Sequence, residues 1–264
     1  MTPPLITLTT DFGVSDHLVG AMKGVIASIE PEARVHDITH HVGSFDRLDG
    51  ALTVANFYRY WPARTIHVVV VDPGVGSSRR PLLVSAGSHY FVAPDNGVLS
   101  LVFDREPEIR AWHITAEHYF LQPVSRTFHG RDIFAPSAAW LARNGQPESF
   151  GSEVGDYERF SLPKPAIAQG RIAGVVLRAD RFGNLLTNLR PEDAPELLAG
   201  APFRLSVGKA TITRLVATFG ECDPGQPCLL VGSSGYFEIC VNRASAAEAT
   251  AAASESPFTI ELGG

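Results

Sequence analysis

The sequence predicts an α/β protein in two parts. An amino-terminal layered α/β domain with a largely parallel sheet spans residues 1–163, and a smaller carboxy-terminal β-barrel domain spans 164–264. Strand and helix periodicities alternate through the first half, the pattern of a sheet covered by helices. The stretch "LPKPAIAQG" (162–170) then interrupts the pattern with two prolines and a terminal glycine. Beyond it come short apolar runs separated by Gly, Pro and Asp, the spacing of a small barrel or sandwich.

In the first part, "LITLTT" (5–10) reads as a strand. In "DHLVGAMKGVIASI" (16–29), Leu18, Met22, Val25, Ile26 and Ile29 recur at helical spacing on one face. "RVHDIT" (34–39) is a short strand and "DRLDGALTVANFYRYW" (46–61) a second helix. "TIHVVVVD" (65–72) is a buried strand, followed by the strands "LLVSAG" (82–87) and "YFVAP" (90–94). Helices are expected around "GVLSLVF" (97–103) and over "DIFAPSAAWLARNG" (132–145), the latter stopped by its glycine. The second part offers strands in "RIAGVVLRAD", "NLLTNL", "FRLSVG", "ATITRLVATF", "PCLLVG", "YFEICVN" and "PFTIEL". The alanine-rich "RASAAEATAAAS" (243–254) reads as a helix or a surface connection.

Hydrophobic residues make up 45% and charged residues 19% of the 264, a balance that suits a soluble globular chain with a sizeable core. Lysine and arginine number 22 against 28 aspartates and glutamates, a formal charge of −6, which argues against a general nucleic-acid binder. Cys222, Cys228 and Cys240 stand in no zinc or redox spacing and fit a reducing compartment better than a disulfide framework. The opening "MTPPLITLTTDF" lacks the basic start and long apolar stretch of a signal peptide. No apolar run approaches the roughly 18–20 residues of a membrane span. A cytoplasmic protein with neither membrane nor nucleic-acid partner is expected.

The chemistry gathers at strand ends. "TIHVVVVDPGVGSSRRPLLV" (65–84) ends a strand in Asp72 and bends through Pro73, glycines and serines to Arg79 and Arg80. "GVGSSR" supplies part of the dinucleotide pattern G-x-G-x-x-G, but Arg79 sits where the last glycine belongs, and no lysine stands at the Walker spacing. Either the arginines are solvated on a hairpin, or the strand-end carboxylate and the glycine-bent turn after it form a site. "TTDFGVSDHLVG" (9–20) puts Asp11 at the carboxyl end of the first strand and Asp16 where it would cap the next helix. Ligands of open α/β sheets bind at such ends, so Asp11 and Asp72 are expected to converge on one crevice. A carboxylate there can accept two hydrogen bonds from a ribose diol.

In "TFHGRDIFAP" (127–136), His129 and Gly130 stand at a helix entrance, where the glycine permits close approach to a ligand; a capping or packing histidine is the alternative. Asn184 in "ADRFGNLLTNL" (179–189), after Phe182 and Gly183, suits either a base-reading amide or an ordinary turn. "GSSGYFEICVN" (232–242) places serines before a strand bearing Glu238. His36 and His40 belong to a strand and loop rather than one helix face, with no H-E-x-x-H pattern nearby, so no metal is expected.

With "TTDFG", "DITHHV", "VVVVDPGVGSSRRPL", "APDNGVLS", "TFHGRDIFAP", "DRFGN" and "GSSGYFEICVN" in order, the chain resembles the S-adenosyl-L-methionine (SAM) hydroxide adenosyltransferases from residue 7 to residue 242. These are relatives of the SAM-dependent fluorinase and chlorinase. The resemblance implies hydrolysis of SAM to adenosine and L-methionine, with SAM as substrate and no cofactor. It also implies a homotrimer, each active site lying between the first domain of one subunit and the second domain of its neighbour. Asp72, Arg79 and His129 fall on the positions that activate hydroxide. Asp11 falls on the ribose-binding aspartate, with Phe45 as the aromatic beside the ribose. Asp16, Asp180, Phe182, Asn184, Ser233 and Glu238 match ligand-contacting segments, and the backbone from Val241 through Asn242 to Arg243 would meet the adenine. Two rival readings remain. One is a SAM-dependent halogenase, although Asp72 stands where the fluorinase has tyrosine. The other is a non-catalytic adenosine- or SAM-binding protein, which would not require Asp72, Arg79 and His129 together.

Overall fold

Successive residues of a strand face opposite sides of a sheet, and the run Ile66–Val70 is buried on both. Such a strand demands cover above and below. The computed structural model, which describes residues 3–263, supplies it. The chain divides into two compact units, Met1–Ser161 and Leu162–Gly264.

The first unit holds strands β1 (Leu5–Thr10), β2 (Arg34–Thr39), β3 (Ile66–Val70), β4 (Pro81–Ala86), β5 (His89–Pro94), β6 (Ile109–His113) and β7 (Glu153–Val154). They form one sheet in the order β2-β1-β3-β5-β4-β6-β7. The strands β2, β1, β3 and β5 run parallel side by side; β4, β6 and β7 extend the sheet antiparallel. Its helices are α1 (Leu18–Ile29), α2 (Arg47–Phe57), α3 (Ser100–Phe103) and α4 (Ala135–Ala142). Met22 and Ile26 of α1, with Ala138 and Ala139 of α4, join Ile66, Val68 and Val70 in one core. On the opposite face, Val54 of α2 and Val102 of α3 join Val69 and Val71 in another.

Several boundaries differ from the sequence expectation. Helix α1 begins at Leu18 with His17 as its N-cap and no side-chain cap, so the exposed Asp16 does not cap it. By contrast, α2 has a true cap, Asp46 accepting from the Asp49 amide at 2.9 Å. The segment 97–103 forms only the single turn α3, held by burial of Leu101, Val102 and Phe103 rather than by helix propensity. The helix α4 terminates through Asn144, which takes a left-handed φ of 72° one residue before the expected glycine. Asparagine tolerates that region better than most residues with a Cβ.

The second unit contains β8 (Ala166–Ala168), β9 (Arg171–Ala179), β10 (Leu185–Thr187), β11 (Phe203–Val207), β12 (Ala210–Ile212), β13 (Pro227–Val231), β14 (Phe237–Val241) and β15 (Pro257–Leu262). Their order is β12-β11-β15-β9-β10-β14-β13, with β8 beside β9 and every ladder antiparallel. The expected long strand 210–219 pairs only as β12. Beyond it the chain crosses over: the Leu229 amide bonds to the Arg214 carbonyl, and the Val216 amide to the Leu229 carbonyl, both at 2.9 Å. This bridge to β13 nearly closes a barrel and covers edges that would otherwise stay unpaired. Two short helices, α5 (Pro195–Leu198) and α6 (Ala246–Thr250), complete the unit. The alanine-rich segment is therefore partly helical, with Ser245 capping α6 through the Glu248 amide. Among the described residues no helix is long and apolar enough to cross a membrane.

Candidate active site

Thr10 and Val70 are register partners on β1 and β3, so Asp11 and Asp72 follow at the carboxyl ends of adjacent parallel strands. The chain beyond Asp72 then turns twice. The Val75 amide bonds to the Asp72 carbonyl at 3.3 Å and the Ser77 amide to the Gly74 carbonyl at 3.1 Å. Gly76 has φ 78°, and a Cβ there would run into the Arg126 carbonyl, so the turn requires glycine. These turns fold Arg79 back onto Asp72. Arg79 Nε donates to both carboxylate oxygens at 3.0 Å, and Nη2 donates to Oδ2 at 2.5 Å. Nη2 also lies 2.6 Å from His129 Nδ1. The ring of Phe134 supports the guanidinium from 5.3 Å.

Arginine can only donate, so His129 Nδ1 must accept and Nε2 carries the proton of the neutral ring. Burial and the Arg79 charge both hold the His129 pKa below its ordinary value, partly opposed by Asp72 and Asp132. Only 8% of the Arg79 side chain and 5% of the Asp72 side chain are exposed, which leaves the pair little screening by solvent. Arg79 Nη1 is buried with no acceptor from the protein. One nitrogen of the guanidinium is therefore closed off from solvent without a protein acceptor.

The histidine enters through a π turn, Gly130–Phe134, that leads into α4. Gly130 is buried, and a Cβ there would sit 3.3 Å from both Met22 Sδ and Phe128 Cε2. Packing thus gives the glycine a reason of its own. Asp132, fully buried, accepts from Arg131 Nε at 2.6 Å and from the Ser125 amide at 2.8 Å, pinning the loop before His129. Arg80 is not simply solvated either: it donates to Asp95 and Asp156, each at 2.7 Å.

Asp11 Oδ2 accepts from the Phe45 amide at 2.8 Å. Phe45 has φ 64° and is 70% exposed, so the carboxylate shapes a loop that presents an aromatic ring to solvent. His40 pins the same region, Nδ1 lying 2.9 Å from Thr10 Oγ1, while the His36 ring packs at a tilt against Trp61, 5.2 Å between centroids. The two histidines have separate structural tasks. Among the described residues no three His, Cys, Asp or Glu side chains form a metal-ligating group. A cavity of about 940 Å³ opens at the amino ends of β1, β3 and β5, lined by Leu5, Ile66 and Tyr90 among others, and none of the candidate residues lines it.

In the second unit, Asp180 organises its turn. Oδ1 accepts from the amides of Phe182 and Asn184 at 2.9 and 2.8 Å, and Oδ2 accepts from Asn184 Nδ2 at 2.9 Å. One N–H of the Asn184 side chain is thereby committed to its own turn. Gly183 has φ 83°, and a Cβ there would strike Ser245. Phe182, at 78% exposure, projects from this turn. Glu238 folds over Gly232, and Ser234 rather than Ser233 donates to it, at 3.3 Å. Burial pushes the Glu238 pKa up, aided by Asp180 and opposed by Ser234 and Arg178. Val241 is buried, Asn242 half-buried, and the exposed Arg243 turns the chain with φ 56°.

The family model of the SAM hydroxide adenosyltransferase N-terminal domain matches residues 6–151, and that of the C-terminal domain matches residues 174–259. The chain belongs to the SAM hydroxide adenosyltransferase family. This adenosyltransferase-family chain is 39% identical to the (R)-S-adenosyl-L-methionine hydrolase of Salinispora tropica over 249 residues, 93% of each chain. A crystal structure of a conserved protein from Thermotoga maritima matches with a TM-score of 0.89 at 33% identity, covering 97% of this chain and 99% of that one. A fluorinase of Actinoplanes sp. is more distant, 27% identical over 91% of this chain and 92% of its own. Sequence reasoning assigned no part to Asp132 or Phe134 of this family member. Their only signal was adjacency to His129 in "HGRDIF", which does not say which side chains turn inward.

Proposed function

We propose that the protein hydrolyses SAM to adenosine and L-methionine by in-line attack of water or hydroxide on C5′. The bonded Asp72–Arg79–His129 group carries this reading. Relatives at 31–39% identity that are named (R)-S-adenosyl-L-methionine hydrolase support it.

The C5′ carbon of SAM carries a sulfonium, which leaves as neutral methionine and needs no general acid. The protein's task is to place one dehydrated water behind C5′ in line with sulfur. Such placement contributes on the order of 7–11 kcal/mol to lowering a barrier. Asp72 accepts a hydrogen bond from that water, since a carboxylate offers about four acceptor sites and Arg79 engages only part of them. His129, neutral and bonded through Nδ1, holds the guanidinium in place. Asp11 would hold the ribose diol, with Phe45 beside it. Asp16, Gly130, Asp180, Phe182, Asn184, Ser233, Glu238 and the stretch Val241–Arg243 remain proposed contacts. The reaction calls on no metal or redox cofactor.

We further propose a cytoplasmic homotrimer whose sites combine the first unit of one subunit with the second unit of a neighbour. Three free buried cysteines suit a reducing compartment. Mixing inactive Asp72→Asn with inactive Asn184→Ala protein should restore partial activity; no recovery after verified subunit exchange removes the shared-site proposal.

The halogenase reading is disfavoured because the relatives named hydrolases are the more similar ones, at 31–39% identity against 27% for the fluorinase. Reaction in oxygen-18 water and chloride-rich buffer, with both sulfonium epimers of SAM, tests the proposal. Hydrolysis requires adenosine labelled at its 5′ oxygen. Chlorinated nucleoside as the main product establishes the halogenase instead, and binding without turnover establishes a sensor.

A further inference from the structure

Asp72 lies beyond the last residue of β3, where the ladder no longer dictates the backbone. The register with β1 ends at Val70 and that with β5 at Val68. The carbonyl of Val71, which shares its peptide unit with Asp72, is instead held by a side chain: Asn96 Nδ2 donates to it at 2.9 Å. Asn96 is itself fixed at both ends. Its Oδ1 accepts from the Val98 amide at 3.1 Å, and its backbone carbonyl accepts from Arg47 Nη1 at 2.8 Å. Arg47 is the first residue of α2, directly after the loop in which Asp11 holds the Phe45 amide.

We infer that Asn96 is a positioning residue for Asp72, and that the Arg47–Asn96 pair braces the Phe45 loop against the turn carrying the carboxylate. This rests on the assignment of Asp72 to the water-orienting group. Planarity of the 71–72 peptide makes the carbonyl of Val71 a handle on the Cα of Asp72. Rotation of that peptide swings the carboxylate away from Arg79 and from the line of attack. A misplacement of about 1 Å in such a group costs on the order of a hundredfold in rate.

Asn96→Ala tests this, with Arg47→Met as a milder variant on an exposed side chain. Asn96→Ala is expected to lower kcat by roughly ten- to a hundredfold while KM changes by less than about threefold, and Arg47→Met to follow in the same direction. In an Asp72→Asn background, Asn96→Ala should have little further effect. Equal loss in both backgrounds would mean a general structural role and overturns the inference. A second readout needs no turnover. Titration of carbon-13-labelled histidine should show the His129 midpoint moving down in Asn96→Ala, because Asp72 draws back while Arg79 and Asp132 stay near. His89, at the opposite end of β5, should not move. An unchanged His129 titration overturns the brace. If the wild-type protein releases no adenosine, the proposed reaction fails, yet the titration still decides the role of Asn96.

Discussion

Asp72→Asn should separate the stability of the site from its chemistry. In the native protein Arg79 Nε contacts both carboxylate oxygens at 3.0 Å and Nη2 contacts Oδ2 at 2.5 Å. An asparagine keeps one acceptor and turns a donor towards the guanidinium. With side chains only 5% and 8% exposed, water cannot replace the lost partner. Removing one member of a buried pair destabilises by about 3–5 kcal/mol. In a unit of this size each kcal/mol lowers Tm by about 2–4 °C, so a fall of roughly 6–20 °C is expected. The double variant Asp72→Asn, Arg79→Met removes the stranded charge as well, and should recover to within about 2 kcal/mol of wild type. Activity should not recover: misplacing the attacking water by about 1 Å costs on the order of a hundredfold. Urea denaturation followed by Trp112 fluorescence reports the first unit, since that indole is 2% exposed in its core. Chromatography of released adenosine reports turnover. A single variant as stable as wild type, or a double variant less stable than the single, would refute the buried-pair reasoning.

Asp11→Ala removes the anchor of the Phe45 amide and the proposed ribose acceptor together. Adenosine affinity should fall about ten- to a hundredfold, at about 1.5–3 kcal/mol for a charged hydrogen bond, and unchanged calorimetric affinity would remove Asp11 from the ribose. Because burial and Arg79 depress the His129 pKa, hydrolysis should stay level as pH falls through about 6.5, where an ordinary histidine titrates. A break in kcat at or above that pH contradicts the bonded-histidine geometry. His67 is fully buried, bonded to Thr7 at 2.8 Å and beside His89, and burial lowers its pKa to about 3. The folded ring is neutral where the unfolded ring is already protonated, so this contribution to stability is complete above about pH 6.5 and is lost on acidification at about 1.4 kcal/mol per pH unit. His67→Gln should lessen the slope of unfolding free energy between about pH 6 and about pH 4 by one proton's worth; an unaltered slope assigns the acid sensitivity elsewhere.

The elements of this protein are legible from local pattern because periodicity is a local property. The run 65–72 had to be a strand covered on both faces, and the sheet with helices on either side follows from that. The strand-and-turn pattern likewise put Asp11 and Asp72 at the carboxyl ends of strands, and the β1–β3 pairing makes those strands neighbours. What the pattern could not decide is which groups meet. Arg79 lies seven residues from Asp72 and fifty from His129, and only the double turn through Gly76 and the packing of the π turn over the sheet brings the three together. That geometry alone sets the histidine tautomer and strands Arg79 Nη1. Asp16 as a helix cap was a reasonable local reading, overruled when the helix started at Leu18 with His17 in the capping position. Ser234 rather than Ser233 touches Glu238 because the 232–235 turn sets the direction of each side chain. The near-closure of the barrel rests on Leu215 meeting Leu229, a contact that exists only once both strands' neighbours are in place. Local composition determines which segments become strands and helices, since backbone and side-chain preferences act within a few residues. Protonation, pairing and the aim of each functional group depend on atoms brought near by the whole fold.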